Sequence, residues 1–553
     1  MTGERDPRAR WALAAVMVAA AALLLWLTRT ETFFADEWNF LVGYPDWSPG
    51  TLLHPNSGNL IAAPAVLYKT MTAVFGADDY LPFRLLWVGL DLLSAGLFYS
   101  LTRRRVGDWI ALAPTTLLLF FGASWEVFGG PLGITILMAV AAGLGMLLCL
   151  ERGDRAGDAG AAVLLALSIA TYTIGLAFAV GAVVELAVGR GREGWRRAWV
   201  IAAPLLLYGA WRAWAAKYGG TDVGFSDVLT LPGSVANSMA AVCAAISGSF
   251  RDPVNSGLAL HTEGGRVFAV LLAGIVVWRL FGPAGRAVDR RVWIFVAMPL
   301  TYWALIGANL GPLRTPDASR YLYGGAVFVL LLLTQLYAGT RLGRRGYAVL
   351  AVALAFCLLG NLANLRDASR FLRDNGDENR GELTALELAG PGRVDRNLLV
   401  EPLTGAITPL EDMAFFAGPY FDAFAGEPSP AYPPAELPRR PEHVRVRADI
   451  ELVRAFALTP VPAPPTAALG ACLTFAPNPV PGTRAFRVAP GGFTVRGAAI
   501  TGIALRRFGD EFAATLSPPP PGQAELVAIP ADRSPLPWYA QVTTSAPVTI
   551  CPA

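Results

Sequence analysis

The sequence predicts an all-α polytopic membrane domain followed by a β-rich domain. Apolar runs of about 17–22 residues recur from Trp11 to about Leu362, and a run of that length crosses a bilayer as a helix. Basic residues are concentrated in the segments between these runs. Beyond about residue 445, short apolar stretches are broken by Pro and Gly, a pattern typical of strands.

The composition supports an integral membrane protein. The chain of 553 residues is 54% hydrophobic and 16% charged, whereas about a quarter of the residues in a soluble protein are charged. The net charge of +3 says little about partners, and no nucleic-acid partner is expected. The sequence contains neither a phosphate-binding Gly-rich loop nor a dinucleotide fingerprint, and its three histidines do not favour a multi-histidine metal site.

The basic clusters set the predicted topology. They comprise Arg5, Arg8 and Arg10, the pair Arg152 and Arg155, and the stretches 103–105, 190–197, 286–291 and 341–345. The positive-inside rule places all of them in the cytoplasm. To satisfy this rule, residues 60–76 must lie along the external interface as an amphipathic helix and not cross the bilayer.

The other apolar runs give about eleven transmembrane helices, with a cytoplasmic N-terminus and an external C-terminus in the plasma membrane. The predicted spans are 11–30, 80–102, 108–126, 131–150, 158–175, 176–189, 197–215, 266–282, 291–309, 320–340 and 346–363. The predicted domains are a cytoplasmic N-terminus (1–10), a transmembrane domain (11–365), a helical and Pro-rich connecting segment (366–440) and an external, sandwich-like β-rich domain (441–553).

The cysteines are consistent with an external tail. Cys149 and Cys357 lie in predicted spans, and Cys243 lies in an apolar loop segment. Cys472 and Cys551 lie in the first and last predicted strands. In an oxidising compartment these two are expected to form a disulfide, and the alternative is two unpaired thiols in the core.

Asp36 and Glu37 form an adjacent acidic pair just after the first span, in the stretch ETFFADEWNF. Neighbouring residues on a helix point about 100° apart, so the two carboxylates are expected to have different roles. One interpretation is a solvated helix start, where carboxylates favour the helix dipole. The surrounding aromatic residues favour the other interpretation, a partly desolvated functional site at the external surface.

Other polar side chains are also expected at the external surface. Glu126 ends the span 108–126 and is either a second acidic group or an interfacial helix end. Arg314 and Arg320, with Tyr321 beside them, break the positive-inside trend. A guanidinium suits a lipid-linked phosphate, and the alternative is contact with bulk anionic lipid.

Five more residues carry open alternatives. Lys69 and Arg84 are further external cations that could assist at a phosphate. Asp91 lies midway along span 80–102, where a carboxylate is costly, and serves either a hydrogen bond within the bundle or proton-coupled transport. Trp538, with its neighbour Tyr539, either stacks on a sugar ring or packs in the core.

The first external loop resembles that of a known enzyme class. An acidic pair soon after the first helix, the P-N-x-x-[HN] segment PNSGN (55–59) and an amphipathic helix with P-x-x-x-Y are similar to GT-C membrane glycosyltransferases. The resemblance is strongest to actinobacterial relatives of dolichyl-phosphate mannosyl and aminoarabinose transferases, and it covers about residues 10–365. Asn56 is retained, Asn59 stands where a His is usual, and His54 is shifted in register, which weakens metal or phosphate binding by this loop.

The resemblance implies transfer of a sugar from a polyprenyl-phosphate donor to a cell-envelope glycan, lipid or protein at the external face. It places Asp36 as the base toward the acceptor hydroxyl, and a single base predicts inversion at the anomeric carbon. Arginines, or a divalent cation such as Mg²⁺ or Mn²⁺, would neutralise the leaving phosphate. The alternatives are a transporter or flippase, a polymerase or ligase of lipid-linked glycans, and a non-catalytic scaffold presenting the β-rich domain.

Overall fold

The fold comes from a computed structural model that describes residues 6–129, 132–188, 196–219, 225–251, 263–282, 288–310, 314–400, 415–463, 472–478 and 481–553, without the side chains of 225–228. The N-terminal residues 1–5 and the basic stretches predicted at 190–195 and 286–287 lie outside the described residues.

Helices account for most of the described chain. They are α1 (Pro7–Leu27), α2 (Glu37–Val42), α3 (Pro49–Leu52), α4 (Ala62–Phe75), α5 (Leu81–Val106), α6 (Asp108–Leu119), α7 (Gly133–Leu150), α8 (Arg155–Thr171), α9 (Ile174–Val188), α10 (Trp199–Ala215), α11 (Phe225–Ser247), α12 (Glu263–Phe281), α13 (Val292–Gly307), α14 (Ser319–Leu336), α15 (Arg344–Ala389), α16 (Ala417–Ala423) and α17 (Glu442–Ala455).

The strands all lie towards the C-terminus. They are β1 (Leu399–Val400), β2 (Phe415–Phe416), β3 (Val461–Pro462), β4 (Leu473–Phe475), β5 (Gly482–Arg487), β6 (Gly491–Gly497), β7 (Ile500–Arg506), β8 (Ala514–Leu516), β9 (Ala524–Ile529), β10 (Tyr539–Thr544) and β11 (Val548–Pro552).

The chain divides into two compact units. The membrane unit comprises Met1–Glu31, Tyr44–Phe75 and Tyr80–Arg373. The second unit comprises Thr32–Gly43, Gly76–Asp79 and Asp374–Ala553. The segment that carries the acidic pair therefore folds with the C-terminal part of the chain and not with the helices that precede and follow it.

Seven described helices of the membrane unit are long and apolar enough to cross a bilayer, namely α1, α5, α7, α11, α12, α14 and α15, and α6, α9 and α13 are shorter apolar helices. Local sequence sets their ends. Asp6 caps α1 by accepting a hydrogen bond from the N–H of Arg8. Gly107, with φ of 84°, ends α5 and lets the chain reverse into α6. The predicted number of spans stays a prediction.

The arginine clusters meet at one end of the membrane unit, which we call the basic end. Arg105, at the end of α5, donates to Glu151 after α7 at 2.9 Å. Its carbonyl accepts from Gly339, just after α14, at 2.8 Å. Arg291, before α13, pairs with Glu185 of α9 at 3.1 Å. These contacts place the described basic segments together, as the positive-inside rule requires, and the cytoplasmic assignment of this end stays a prediction.

Helix α11 was absent from the sequence prediction, which put Cys243 in a loop. That assignment is wrong, because Cys243 lies within α11. The helix is long and apolar enough to cross a bilayer. Ser234 packs on Gly307, the last residue of α13, and the carbonyl of Ala245 accepts from Asn361 of α15 at 2.9 Å.

The second unit contains an antiparallel β-sandwich. One sheet has the order β5-β10-β7-β8 and the other β3-β9-β6-β11-β4. Buried residues alternate along β10 and β9, as expected for strands with one face in the core. Phe486 and Phe493, one from each sheet, have ring centroids 5.1 Å apart. The predicted disulfide between Cys472 and Cys551 is present in the structure.

Helix α17 corrects the sequence analysis, which assigned everything from residue 445 to strands. Its Asp449 is buried and accepts hydrogen bonds from the backbone N–H groups of Arg507, Phe508 and Gly509, all near 3 Å. Burial raises the pKa of Asp449 to about 6. This carboxylate fastens the turn after β7 to the helix.

Candidate functional site

The acidic pair lies at the start of the short helix α2. Ala35 before it has φ of 47°, a left-handed conformation that turns the chain into the helix. Glu37 is 1% exposed, and its Oε2 accepts from the N–H of Phe34 at 3.0 Å, which fixes that turn. Asp36 is only partly buried and makes no capping bond to the helix. Glu37 is thus the more deeply buried residue of the pair, and the role of each carboxylate stays a prediction.

Trp38 anchors this segment within the second unit. The indole is 1% exposed and stacks on Phe415, with centroids 4.8 Å apart and planes 29° apart. Asn379 of α15, with its amide oriented to match donors with acceptors, accepts from Trp38 Nε1 at 3.1 Å and donates to Glu382 Oε2 at 3.1 Å. The residue two positions after Asp36 is therefore held by both an aromatic stack and a buried polar contact.

This polar contact continues into α17. Glu382 is 1% exposed and forms an ion pair with Arg447. One turn further along α17, Glu451 pairs with Arg454 at 2.7 Å. Trp38, Asn379, Glu382 and Arg447 thus form a connected buried chain, which we call the anchor network. Every member belongs to the second unit.

In the membrane unit, the structure brings together two residues that the sequence analysis treated separately. Arg320 donates from Nη1 to Oε1 of Glu126 at 2.9 Å and from its backbone N–H to Oε2 at 2.8 Å. The side chains are 10% and 13% exposed. Ser319 Oγ also accepts from the N–H of Glu126 at 3.1 Å. This buried pair already neutralises both groups, which leaves Arg320 less suited to a phosphate than the sequence suggested.

Arg314 belongs to a second polar cluster in the membrane unit. It donates to Asn309 Oδ1 at 2.9 Å and to the carbonyl of Ser57 at 3.3 Å. Asn56 and Asn59 exchange backbone hydrogen bonds at 3.1 and 2.8 Å, so PNSGN forms a tight turn. The central Ser57 and Gly58 have φ of 46° and 79°, as a two-residue turn with left-handed central residues requires.

Asn59 connects this turn to the rest of the unit, because its side-chain oxygen accepts from Thr173 between α8 and α9. His54 is exposed, with its ring centroid 4.5 Å from that of Tyr218. We call the residues Asn56, Asn59, Arg314, Asn309 and Thr173 the polar cluster. Arg314 is partly exposed there and keeps a guanidinium at the surface of this cluster.

The other predicted phosphate ligands are dispersed within the membrane unit. Lys69 donates to the carbonyl of Tyr44 at 2.6 Å, and partial burial lowers its pKa. Arg84 is 7% exposed and donates to the carbonyl of Glu31 at 3.4 Å. Tyr321 is buried, and the guanidinium carbon of Arg320 lies 5.3 Å from the centroid of the Tyr321 ring.

Asp91 is fully buried in α5, and Tyr323 of α14 donates to its Oδ1 at 3.4 Å. The backbone N–H of Tyr323 donates to Ser124 Oγ at 3.2 Å, and Ser124 in turn donates to the carbonyl of Ser319 at 2.7 Å. These contacts support the interpretation in which Asp91 makes a hydrogen bond within the bundle.

The described residues do not fit a resident metal ion. Among them, no group of three or more His, Cys, Asp or Glu side chains is arranged to hold one. Both oxygens of Glu126, the suggested second acidic ligand, accept from Arg320. No chemical step is therefore assigned to a cation.

Structural comparison finds similar membrane proteins at low identity. The chain is similar to ArnT from Cupriavidus metallidurans bound to undecaprenyl phosphate, with 13% identity, a TM-score of 0.43 and coverage of 76% of this chain and 85% of ArnT. It is also similar to an Archaeoglobus fulgidus oligosaccharyltransferase complexed with Zn and sulfate (14% identity, TM-score 0.34, 67% and 55% coverage). A third similar structure is the arabinofuranosyltransferase AftD from Mycobacteria (12% identity, TM-score 0.35, 98% and 61% coverage).

No protein-family model and no curated protein sequence matches the chain. The three structural likenesses have TM-scores below 0.5 and assign neither a fold nor an activity to it. The chain's own residues must carry any functional conclusion.

Sequence reasoning missed the anchor network. Asn379 and Glu382 lie in a polar stretch that resembles an ordinary solvated helix, and 341 positions separate Trp38 from Asn379. The signal available in the sequence was the tryptophan beside the acidic pair, since a residue of that size in an external loop needs a partner surface.

Proposed function

We propose that the protein transfers a sugar from a polyprenyl-phosphate donor to a hydroxyl of a cell-envelope acceptor at the external membrane face, as a GT-C glycosyltransferase. The observation that carries this proposal is the arrangement of the acidic pair. Glu37 is buried and accepts from the N–H of Phe34, while Asp36 beside it is partly exposed on a segment fixed by Trp38. A rigidly held, accessible carboxylate next to aromatic side chains is what a general base requires.

In the proposed reaction, Asp36 accepts the proton of the acceptor hydroxyl as its oxygen bonds to the anomeric carbon. The bond from that carbon to the phosphate oxygen breaks, and the polyprenyl phosphate leaves with an added negative charge. One displacement inverts the anomeric configuration. Within the membrane unit, and without reference to where Asp36 lies, we propose Arg314 as a ligand for a lipid-linked phosphate, since Arg320 is paired with Glu126 and Arg314 keeps a partly exposed guanidinium.

The test is sugar transfer by purified protein in liposomes, with a panel of radiolabelled polyprenyl-phosphate pentoses and hexoses as donors. Asp36→Asn should reduce turnover by about 10²–10⁴-fold, the usual contribution of a general base. Asp46→Asn is the matched control, because Asp46 is an exposed aspartate of the same loop. Full activity in Asp36→Asn would refute the proposed role.

Arg314→Lys separates phosphate binding from the base. A lysine keeps the charge and loses the forked donor geometry, so kcat/KM for the donor should fall about tenfold through a raised KM. A fall in kcat alone would contradict the assignment. Movement of labelled donor across the liposome without transfer would instead favour the flippase alternative.

A further inference from the structure

The membrane unit contains an apolar cavity of about 360 Å³ beside its basic end. Its walls come from three helices: Ile110 and Pro114 of α6, Leu330 and Leu333 of α14, and Leu350 and Leu354 of α15. The size falls within the range of small-molecule sites, and the apolar lining suits hydrocarbon.

Three arginines are close in sequence to the lining of this cavity. Thr340 and Leu342, which flank Arg341 in the chain, both line the cavity. Arg344 and Arg345 begin α15, the helix that forms one wall. All three arginines are exposed, and within the described part of the chain no carboxylate forms an ion pair with any of them. The lining of the apolar space is therefore flanked in the chain by three exposed arginines.

The length of the cavity fits within one leaflet. Along α15 the lining extends from Leu350 to Cys357, which is roughly 10 Å at 1.5 Å per residue. Half of a hydrocarbon core is about 15 Å thick. An acyl chain entering from the basic end would fill the cavity while its phosphate stayed at the level of the arginines.

We propose that this cavity is a binding site for an anionic phospholipid of the leaflet at the basic end, with one acyl chain between α6, α14 and α15 and the phosphate on Arg341, Arg344 and Arg345. Charge complementarity selects this occupant. A neutral lipid leaves the guanidinium groups without a counter-charge, and an apolar peptide helix brings no phosphate. A polyprenyl phosphate carries the same charge, and the test below distinguishes it from a phospholipid. The proposal is independent of the glycosyltransferase function.

The test measures lipids that remain with the purified full-length protein. The protein is equilibrated in mild detergent with equal amounts of phosphatidylglycerol and phosphatidylethanolamine, and bound lipid is counted by native mass spectrometry. The wild type should retain phosphatidylglycerol in preference. The triple variant Arg341→Gln/Arg344→Gln/Arg345→Gln should retain at least about tenfold less phosphatidylglycerol than the wild type, since each basic residue near a lipid surface raises the affinity for anionic lipid roughly fivefold.

Two further variants isolate the site. Ala353→Trp places an indole in the cavity from an exposed position of α15 and should displace the lipid with all arginines present. Arg8→Gln/Arg10→Gln/Arg290→Gln removes equal charge from exposed positions outside the cavity and should retain the lipid.

Three results would overturn the proposal. They are equal retention of both lipids by the wild type, loss of retention in the Arg8/Arg10/Arg290 control equal to that of the Arg341/Arg344/Arg345 variant, and release of polyprenyl phosphate instead of phospholipid by Ala353→Trp.

Discussion

The anchor network predicts an energetic coupling between Trp38 and Asn379. Trp38→Phe keeps a ring on Phe415 and removes the indole N–H that donates to Asn379 at 3.1 Å. The loss of one buried hydrogen bond and part of the ring should cost about 2 kcal/mol. Asn379→Leu leaves both Trp38 Nε1 and Glu382 Oε2 short of a partner and should cost about 2–4 kcal/mol.

Because each single change disrupts the same contact, the double variant should be about 1 kcal/mol more stable than the sum of the two predicts. For a unit of roughly 200 residues, 1 kcal/mol shifts Tm by about 2–4 °C. Trp38→Phe should therefore lower the melting temperature of the second unit by about 4–8 °C.

The assay is resistance to thermolysin after heating in detergent, followed through a C-terminal tag. Asn397→Leu is the matched control, since Asn397 is an exposed residue of the same unit, and it should shift the transition by less than 2 °C, as expected for a surface change of about 0.5 kcal/mol. Additive losses in the double variant, or single losses no larger than that of the control, would refute the coupling.

Three further predictions concern buried charge and the disulfide. Glu126→Gln should destabilise the membrane unit by about 3–5 kcal/mol because it leaves Arg320 buried without its carboxylate. In a thermal unfolding assay, Glu126→Leu/Arg320→Met should recover most of that loss. A double variant as unstable as Glu126→Gln would contradict this prediction. The pKa of Asp449 is raised to about 6, so the contribution of its protonated form to the free energy of unfolding is fully present below about pH 4 and is lost as the pH rises through 6. Relative to Asp449→Asn, the wild type should lose about 2–3 kcal/mol of stability between pH 4 and 7. Parallel plots of stability against pH for the two proteins would exclude the shift. Removing the bridge with Cys472→Ser/Cys551→Ser opens a loop spanning 79 positions and should cost about 4 kcal/mol relative to the oxidised wild type, whereas the reduced wild type should be as unstable as the variant.

The sequence was sufficient for elements whose signal is local. The long apolar runs gave the positions of α1, α5, α7 and α14 to within a few residues because membrane helices need continuous apolar length. Helix α11 was not predicted because Pro232, Gly233, Asn237 and several Ser residues interrupt its apolar pattern. Strand β8 has only three residues, too few for an alternation to be visible.

The site was harder to predict because its contacts are distant in sequence. Each charge at Glu126 and Arg320 suggested a ligand when considered alone, and only the fold shows that the two satisfy each other. Asp36 and Glu37 could be singled out from the sequence because adjacency on a helix turn is a local property, and their division of roles stays a prediction. Their attachment through Asn379 is not local, and no periodicity reports it.

The grouping of Thr32–Gly43 with Asp374–Ala553 has a consequence for biosynthesis. Trp38 leaves the ribosome 341 residues before Asn379, an interval of roughly 17–70 s at 5–20 residues per second. During that interval the loop with Asp36 and Glu37 has been synthesised, but Asn379 and Phe415, which contact the indole of Trp38, have not. Trp38 can make these contacts only after Asn379 and Phe415 have been translated, so a chain cut short before Phe415 would carry all the described helices of the membrane unit and still lack the residue on which Trp38 stacks.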